Sequence, residues 1–484
     1  MSRRLCGRPT DADVSIARIR GKFLASATSV LRYDAASVVV RLLRTVALLV
    51  LVGVLPANRA AARTLAASRT VTYRGFRLRV PSSWPVYDLG RRPTTCVRFD
   101  RHAVYLGRPG ADQRCPSHAV GRTESILLSP LAAASARAPA APAPAPPASG
   151  AAAQLVLASH GLLVTATWLR DPRAIERALG VRSLRATAAA RSRLPAPSAA
   201  SARAAGVFTG LGFDSCATPS GGQMRAWGGS PYRGVAIYIG GANLACAQPN
   251  LTPAWVDARL TADWHLIPTY VGLQSPTSSC ACAAIDPGAA PQQGATAAAD
   301  AVARARALGI GPGSPIYDDM EAYARTQRAS AAVLAFLRGW TATLHGDGYL
   351  SGVYANTNSG LLDLVGAFGS GYLEPDDIWI AAWNGRRTTS DPEVPAGEWG
   401  AHQRLHQYEG AHDETYGGVT INIDSNYLNG ATAGKLSRPG AAPAVRTVIP
   451  GRGSGGSIAS AGGSGGYSPV PGRRRAAGAK PPAA

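Results

Sequence analysis

"SPIYDDMEAY", residues 314–323, sets three carboxylates, Asp318, Asp319 and Glu321, into an otherwise apolar, strand-like run. Burying a charge is costly unless it is paired, so such a run needs a reason. Side chains of a strand alternate between its faces, which puts Asp319 and Glu321 on one face with Tyr317 and turns Asp318 and Met320 the other way. Neighbouring carboxylates resist ionising together, so one of them holds a proton near neutral pH. Protonating a glycosidic oxygen requires such a group. The stretch therefore reads as a barrel strand whose end carries a pair of acids.

Seven further strand-like segments surround it: "FTGLGFDSC", "GVAIYIGG", "HLIPTYVG", "YLSGVYAN", "DIWIAAWN", "RLHQYEG" and "VTINIDSNYL". Helix-like stretches such as "LTPAWVDARLTAD", "QGATAAADAVARARALG" and "SAAVLAFLRGWTATLHGDG" separate the early ones. Eight strands with intervening helices over residues 206–436 predict an α/β fold, a (β/α)8 TIM-like barrel. The later helices are shorter and the last connection is thin, which predicts an irregular barrel. An open doubly wound sheet is the alternative, but it lacks a Gly-rich phosphate loop.

In such a barrel the reactive groups sit where strands end. The first strand ends at Asp214 and the fourth at Asp319 and Glu321. Tyr354 and Asn356 lie on the fifth, Trp379 and Trp383 on the sixth, Gln407 and Tyr408 on the seventh, and Asp424 and Asn426 on the eighth. Asp318 would face the outer helices.

"GFDSC", "AIYIGG", "LIPTYVGLQ", "PIYDDMEAY", "GVYAN", "IWIAAW", "HQY" and "INIDSNYL", in this order, resemble a bacterial glycoside-hydrolase-like domain family long catalogued as a domain of unknown function. That family is similar to the lysozymes of glycoside hydrolase family 25. The resemblance spans roughly residues 206–430 and implies a glycosidase working without metal or organic cofactor. It implies that Glu321 is the general acid and that Asp319 orients a substrate N-acetyl group attacking its own anomeric carbon. Asp214 and Asp424 would tune the charges and bind sugar hydroxyls. Tyr354, Trp379, Trp383 and Tyr408 would offer flat faces to sugar rings, joined in substrate binding by Asn356 and Gln407.

The flanks differ in character. The chain's net charge is +21, but residues 206–436 carry 12 Arg and Lys against 20 Asp and Glu, so the basic excess lies outside them. No basic stripe with interleaved aromatics occurs, so nucleic acid is not the expected partner. Within residues 1–62, Arg41 and Arg44 precede the apolar run Val46 to Leu55 and the small residues Ala60–Ala62, the order of a secretory signal or an uncleaved membrane anchor. Residues 70–185 read as a small β-rich domain with an Ala/Pro-rich insertion at 132–150, residues 186–205 as a linker and 437–484 as a disordered tail.

Beyond Cys6 the six cysteines suggest disulfides in an exported protein. Cys96–Cys115 is the natural pair of the small domain. The other four allow three pairings, of which Cys216–Cys246 comes first because both follow adjacent strands. "CAC" at 280–282 has no Cys or His partner at metal-site spacing. His102, His118 and His160 read as surface residues of a domain without a catalytic constellation, and His402, His406 and His412 as rim residues near the seventh strand. The sequence thus predicts an exported or envelope-associated protein acting on a cell-envelope glycan, possibly peptidoglycan, by retaining hydrolysis. The alternatives are a silent glycan-binding barrel and, third, a nucleic-acid-associated protein driven by the basic flanks.

Overall fold

A computed structural model of the chain describes residues 67–131, 152–184 and 206–434. The signal-like segment, the Ala/Pro insertion, the linker and the tail all lie outside these residues. Among the described residues no helix is long and apolar enough to cross a membrane. All of them fall within one compact unit.

The small domain opens with a hairpin, β1 (Ser68–Tyr73) and β2 (Phe76–Pro81), turned by Arg74 and Gly75, both at positive φ. Positive φ at both central residues matches the right-handed twist of the flanking strands. A five-stranded sheet follows in the order β3-β4-β5-β7-β6: β3 (Val86–Asp88), β4 (Ala103–Leu106), β5 (Ser125–Pro130), β6 (Ala152–Leu157) and β7 (Leu162–Thr167). Val80, Trp84, Val104, Ile126, Leu128 and Val164 bury one face together with Ile175 of helix α1 (Arg173–Leu179).

The larger part closes eight strands into a barrel: β8 (Gly206–Asp214), β9 (Tyr232–Gly240), β10 (His265–Tyr270), β11 (Pro315–Met320), β12 (Leu350–Asn356), β13 (Asp377–Ala381), β14 (Arg404–Tyr416) and β15 (Val419–Thr432). Each expected strand segment forms a strand, yet the barrel is not the (β/α)8 TIM-like barrel that the alternation predicted. Helices follow only the first five strands: α2 (Gly221–Ala226), α3 (Pro253–Thr261), α4 (Ala290–Ala307), α5 (Gln327–Gly346) and α6 (Gly360–Ala367). The β13–β14 connection carries Pro392 and Pro395 among Gly and polar residues, and it stays irregular. β14 and β15 meet in a hairpin through Gly417 and Gly418, both at positive φ, so β15 runs antiparallel to β14 and to β8. Seven parallel strands and one antiparallel strand close a mixed barrel.

Close helix contact on one flank depends on two glycines. A Cβ on Gly294 of α4 would sit 1.9 Å from the Phe336 carbonyl oxygen of α5, and one on Gly339 would sit 2.1 Å from that of Pro291. Inside the barrel Ile267, Tyr317, Tyr354, Trp379, Leu405 and Leu428 pack together, so the lumen is a core rather than a channel.

Among the described residues three disulfides form: Cys96–Cys115, Cys216–Cys246 and Cys280–Cys282. The first two meet where the small domain joins the barrel, with Cys96 Sγ 3.9 Å from Cys246 Sγ. Replacing Cys216 and Cys246 by Ser is expected to lower stability by about 2–4 kcal/mol. The check is a lower Tm for the double variant without reductant, and a difference that disappears when both proteins are reduced.

Candidate active site

β8 and β15 pair so that Asp214 stands directly opposite Asp424. Both are buried, and Asp214 accepts hydrogen bonds from Asn426 Nδ2 (2.7 Å), Gln407 Nε2 (3.0 Å) and the Tyr238 hydroxyl (3.3 Å). Burial, then the neighbouring Asp424 charge, push Asp214 up to about 8; Asp424 is raised too, chiefly by burial. The two carboxyls face each other in the dry barrel mouth, so this pair holds a proton at neutral pH.

Asp319 and Glu321 form a second pair at the end of β11. The Gln274 side chain fixes this strand end, donating to the Asp319 carbonyl (2.7 Å) and accepting from the Glu321 amide (2.8 Å). Burial, reinforced by the Glu321 charge, drives Asp319 well up. Glu321 moves the other way. Burial alone would raise it, but the His118 imidazolium and hydrogen bonds from His118 and Asp319 hold it below the usual range.

His118 comes from the small domain, on the connection between β4 and β5, with Nε2 2.9 Å from Glu321 Oε1. Burial works against its charge, yet Glu321, Asp319 and Asp424 outweigh burial and raise it to about 10. Far from lying on a free surface, His118 brings positive charge to a cluster of four carboxyls. Its donor atom and those of Asp214 and Asp424 lie within 4.8 Å of one another. The ion pair keeps an open edge: the side chains are 28% exposed at His118 and 21% at Glu321.

The barrel holds this segment by backbone contacts. The Ser117 amide donates to Asn422 Oδ1 (2.7 Å), the Gly121 amide to the Asn243 carbonyl (2.9 Å) and the Cys216 amide to the Pro116 carbonyl (3.3 Å). Gly121 has φ +111°, and a Cβ there would meet the Ala281 carbonyl oxygen at 2.7 Å, inside the Cys280–Cys282 turn. Gly121→Ala is therefore expected to cost on the order of 2 kcal/mol or more, through both strained backbone and overpacking. A lowered Tm in thermal melts checks it, and an unchanged Tm would count against this docking. A cavity of about 790 Å³ adjoins the same segment, lined by Arg114, Pro116, Ser215, Thr218 and Asn422 among others.

The expected sugar-binding residues take different places. Gln407 links the site, donating to Asp214 and Asp424 and accepting from Tyr354 (3.0 Å) and Trp383 (2.8 Å). Trp383 is 65% exposed, and its ring lies against Gly410, where a Cβ would stand 2.6 Å from it. Trp379 is buried in the lumen and donates to Asn426 Oδ1 (2.8 Å). Tyr408 alternates away from Gln407 and is buried, with Arg387 over its ring. Asn356 shapes the turn after β12 by accepting from the Asn358 amide. Asp318 points outward beneath Phe336 and Gly272. Both ring nitrogens of His406 contact backbone oxygens, those of Thr388 and Ala382, consistent with a structural residue. Gln274, Tyr238 and His118 were missed as site residues. Gln274 stands in the quoted "LIPTYVGLQ", whereas nothing local marks His118.

The eight-stranded barrel thus gathers two carboxyl pairs at its mouth. Residues 225–428 match the family model described as the Rv2525c-like, glycoside hydrolase-like domain, in line with the resemblance seen in the sequence motifs. No curated protein matches the chain. Among solved structures, a 1.07 Å crystal structure of an uncharacterized B. stearothermophilus protein is 17% identical, over 45% of this chain and 95% of that one, with a TM-score of 0.33. The Mycobacterium tuberculosis Tat-secreted protein Rv2525c, in complex with L-tartrate, is 18% identical over 46% of this chain and 94% of that one, TM-score 0.33. The modular autolysin LytC of Streptococcus pneumoniae is 14% identical over 45% of this chain and 46% of that one, TM-score 0.29. Likeness at these levels carries no statement about activity.

Proposed function

We propose that the protein is an exported glycosidase that hydrolyses an N-acetylated cell-envelope glycan, such as peptidoglycan, with retention. The observation that carries this reading is the Asp319–Glu321 pair at the end of β11, whose members are displaced in opposite directions. One protonated and one ionised carboxyl side by side meet the two demands of neighbouring-group hydrolysis. The protonated member gives its proton to the glycosidic oxygen as the bond to the anomeric carbon breaks, and the leaving sugar departs as an alcohol. The substrate's acetamido oxygen attacks the anomeric carbon, while the ionised member holds the acetamido N–H. Water then adds to the same carbon, restores the acetamide and returns a proton to the donor. Asp214 and Asp424 would bind hydroxyls beneath the ring, and the exposed face of Trp383 would carry an adjoining sugar. Disulfides and the signal-like order of residues 38–62 support export, either secreted or held at the envelope by an anchor.

A second reading is a silent glycan-binding barrel. It is favoured by one observation, that His118 already occupies a Glu321 oxygen. Release of reducing ends from purified peptidoglycan and N-acetylated oligosaccharides by the full chain separates the two. Release that depends on Glu321 supports the enzyme; sugar binding with no release in any condition supports the binder.

A further inference from the structure

The acid site draws on two domains. Asp214 and Asp319 are buried at strand ends, Asp424 is buried inside β15 opposite Asp214, and Glu321 reaches the rim. The nearest cation comes from outside the barrel, on a segment pinned at both ends. The Cys96–Cys115 disulfide holds its start, and Gly121 and Arg122 bond to the backbone of Asn243 and Leu244 at its end. Close backbone packing at Gly121 and the hydrogen bonds of Gly121 and Arg122 hold this segment on the barrel.

We infer that His118 is a positioning residue of the acid site, delivered by the small domain: its contact with Glu321 makes Glu321 the charged member of the pair and leaves the donated proton on Asp319. This assigns the two roles the other way round from the family resemblance. Its catalytic part rests on the glycosidase reading; the His118–Glu321 charge pairing does not. Two facts besides the contact support it. Asp319 Oδ1 is buried and meets no hydrogen-bond donor among the described residues, so nothing at that oxygen stabilises a negative charge and the neutral, protonated carboxyl is favoured there. The side chains of Glu321 and His118 are the partly exposed ones, so an acetamido group can approach the anion from the open edge. The groups facing the pair are Asp319 of β11, Asp424 of β15 and Asp214 of β8, with the Tyr354 hydroxyl of β12 close to the carboxylates. His118 is the one cation among them.

In the reaction Asp319 gives its proton to the glycosidic oxygen, which takes the electron pair of the breaking C–O bond. The incoming water later returns a proton to the Asp319 carboxylate. Glu321 stays ionised throughout, accepting from the acetamido N–H.

The first test needs no turnover. In the full chain labelled at histidine, the His118 ring signal, assigned by its loss in His118→Gln, is followed by NMR against pH. The ring is expected to stay protonated well above neutral pH, and to lose its proton at a distinctly lower pH in Glu321→Gln. Titration in the ordinary histidine range in the wild type, or no change in Glu321→Gln, overturns the pairing. The second test is the pH–rate profile on N-acetylated oligosaccharides. Removing a cation raises both carboxyls, so His118→Gln should move both limbs to higher pH by roughly one to three units, and His118→Lys should move them back. A uniform fall in rate with no shift means a merely structural residue and overturns the role. The third uses a nitrophenyl glycoside of an N-acetylated oligosaccharide, whose leaving group needs no proton. Asp319→Asn should keep turnover there and Glu321→Gln should lose it; the reverse returns the proton to Glu321. If the wild type cleaves nothing, the glycosidase reading falls with the catalytic role, and the NMR titration alone decides the charge pairing.

Discussion

Glu321→Gln in the full chain is expected to cut the release of reducing ends from peptidoglycan by about 10²–10⁴-fold while sugar affinity changes little. The amide keeps the shape of the side chain and removes its charge, so the strand end held by Gln274 should persist. Whichever role Glu321 plays, donor or anion, the two-step reaction cannot run at its normal rate with a neutral amide there. The full chain is essential, because an isolated barrel would lack His118 and the charge it brings to Glu321. Equal release by variant and wild type would remove the candidate pair from the chemistry. Release by neither, with sugar binding retained, would establish the silent barrel.

Asp318→Val is expected to raise stability, by an amount that grows with pH. Asp318 is wholly buried, and neither carboxyl oxygen meets a hydrogen-bond partner among the described residues. Burial drives its pKa well above the ordinary carboxylate value. The folded state therefore keeps a proton that the unfolded chain gives up above about pH 4. Between those two pKa values the folded state binds more protons, and stability falls as pH rises, by about 1.4 kcal/mol per pH unit. Valine has nothing to ionise and favours strands, so the variant escapes this loss. Its advantage should be small near pH 4 and on the order of 2 kcal/mol or more at pH 7. Urea unfolding at both pH values measures it. A constant difference between the two curves would mean that Asp318 does not carry its proton into the unfolding transition.

Local pattern alone placed the strands. "SPIYDDMEAY" alternates as a strand must, and that alternation put Asp319 and Glu321 on one face and Asp318 on the other. The end of the first strand supplied Asp214 by the same logic, whereas Asp424 lies inside β15, which runs the opposite way, and the barrel register alone sets it opposite Asp214. Strand-end position was a poorer guide for the aromatics. Trp379 and Tyr408 are buried while Trp383 is open, because burial depends on what packs across from a residue and not on its place along a strand.

Sequence by itself determined the eight strands, the acid pair and the likeness to a glycoside-hydrolase-like domain, since each depends on residues close together in the chain or on an ordered set of motifs. Tertiary structure alone decided how the barrel closes. Alternation of strands and helices does not report strand direction, and the reversal of β15 follows from the Gly417–Gly418 hairpin and the helix-free connection before it. It alone decided the charge state of the acids as well. His118 and Glu321 lie some two hundred residues apart, and the ion pair between them exists only because the small domain docks with its disulfide-pinned segment over the barrel mouth. Coulomb interaction acts through space, so no window along the chain could have displayed it.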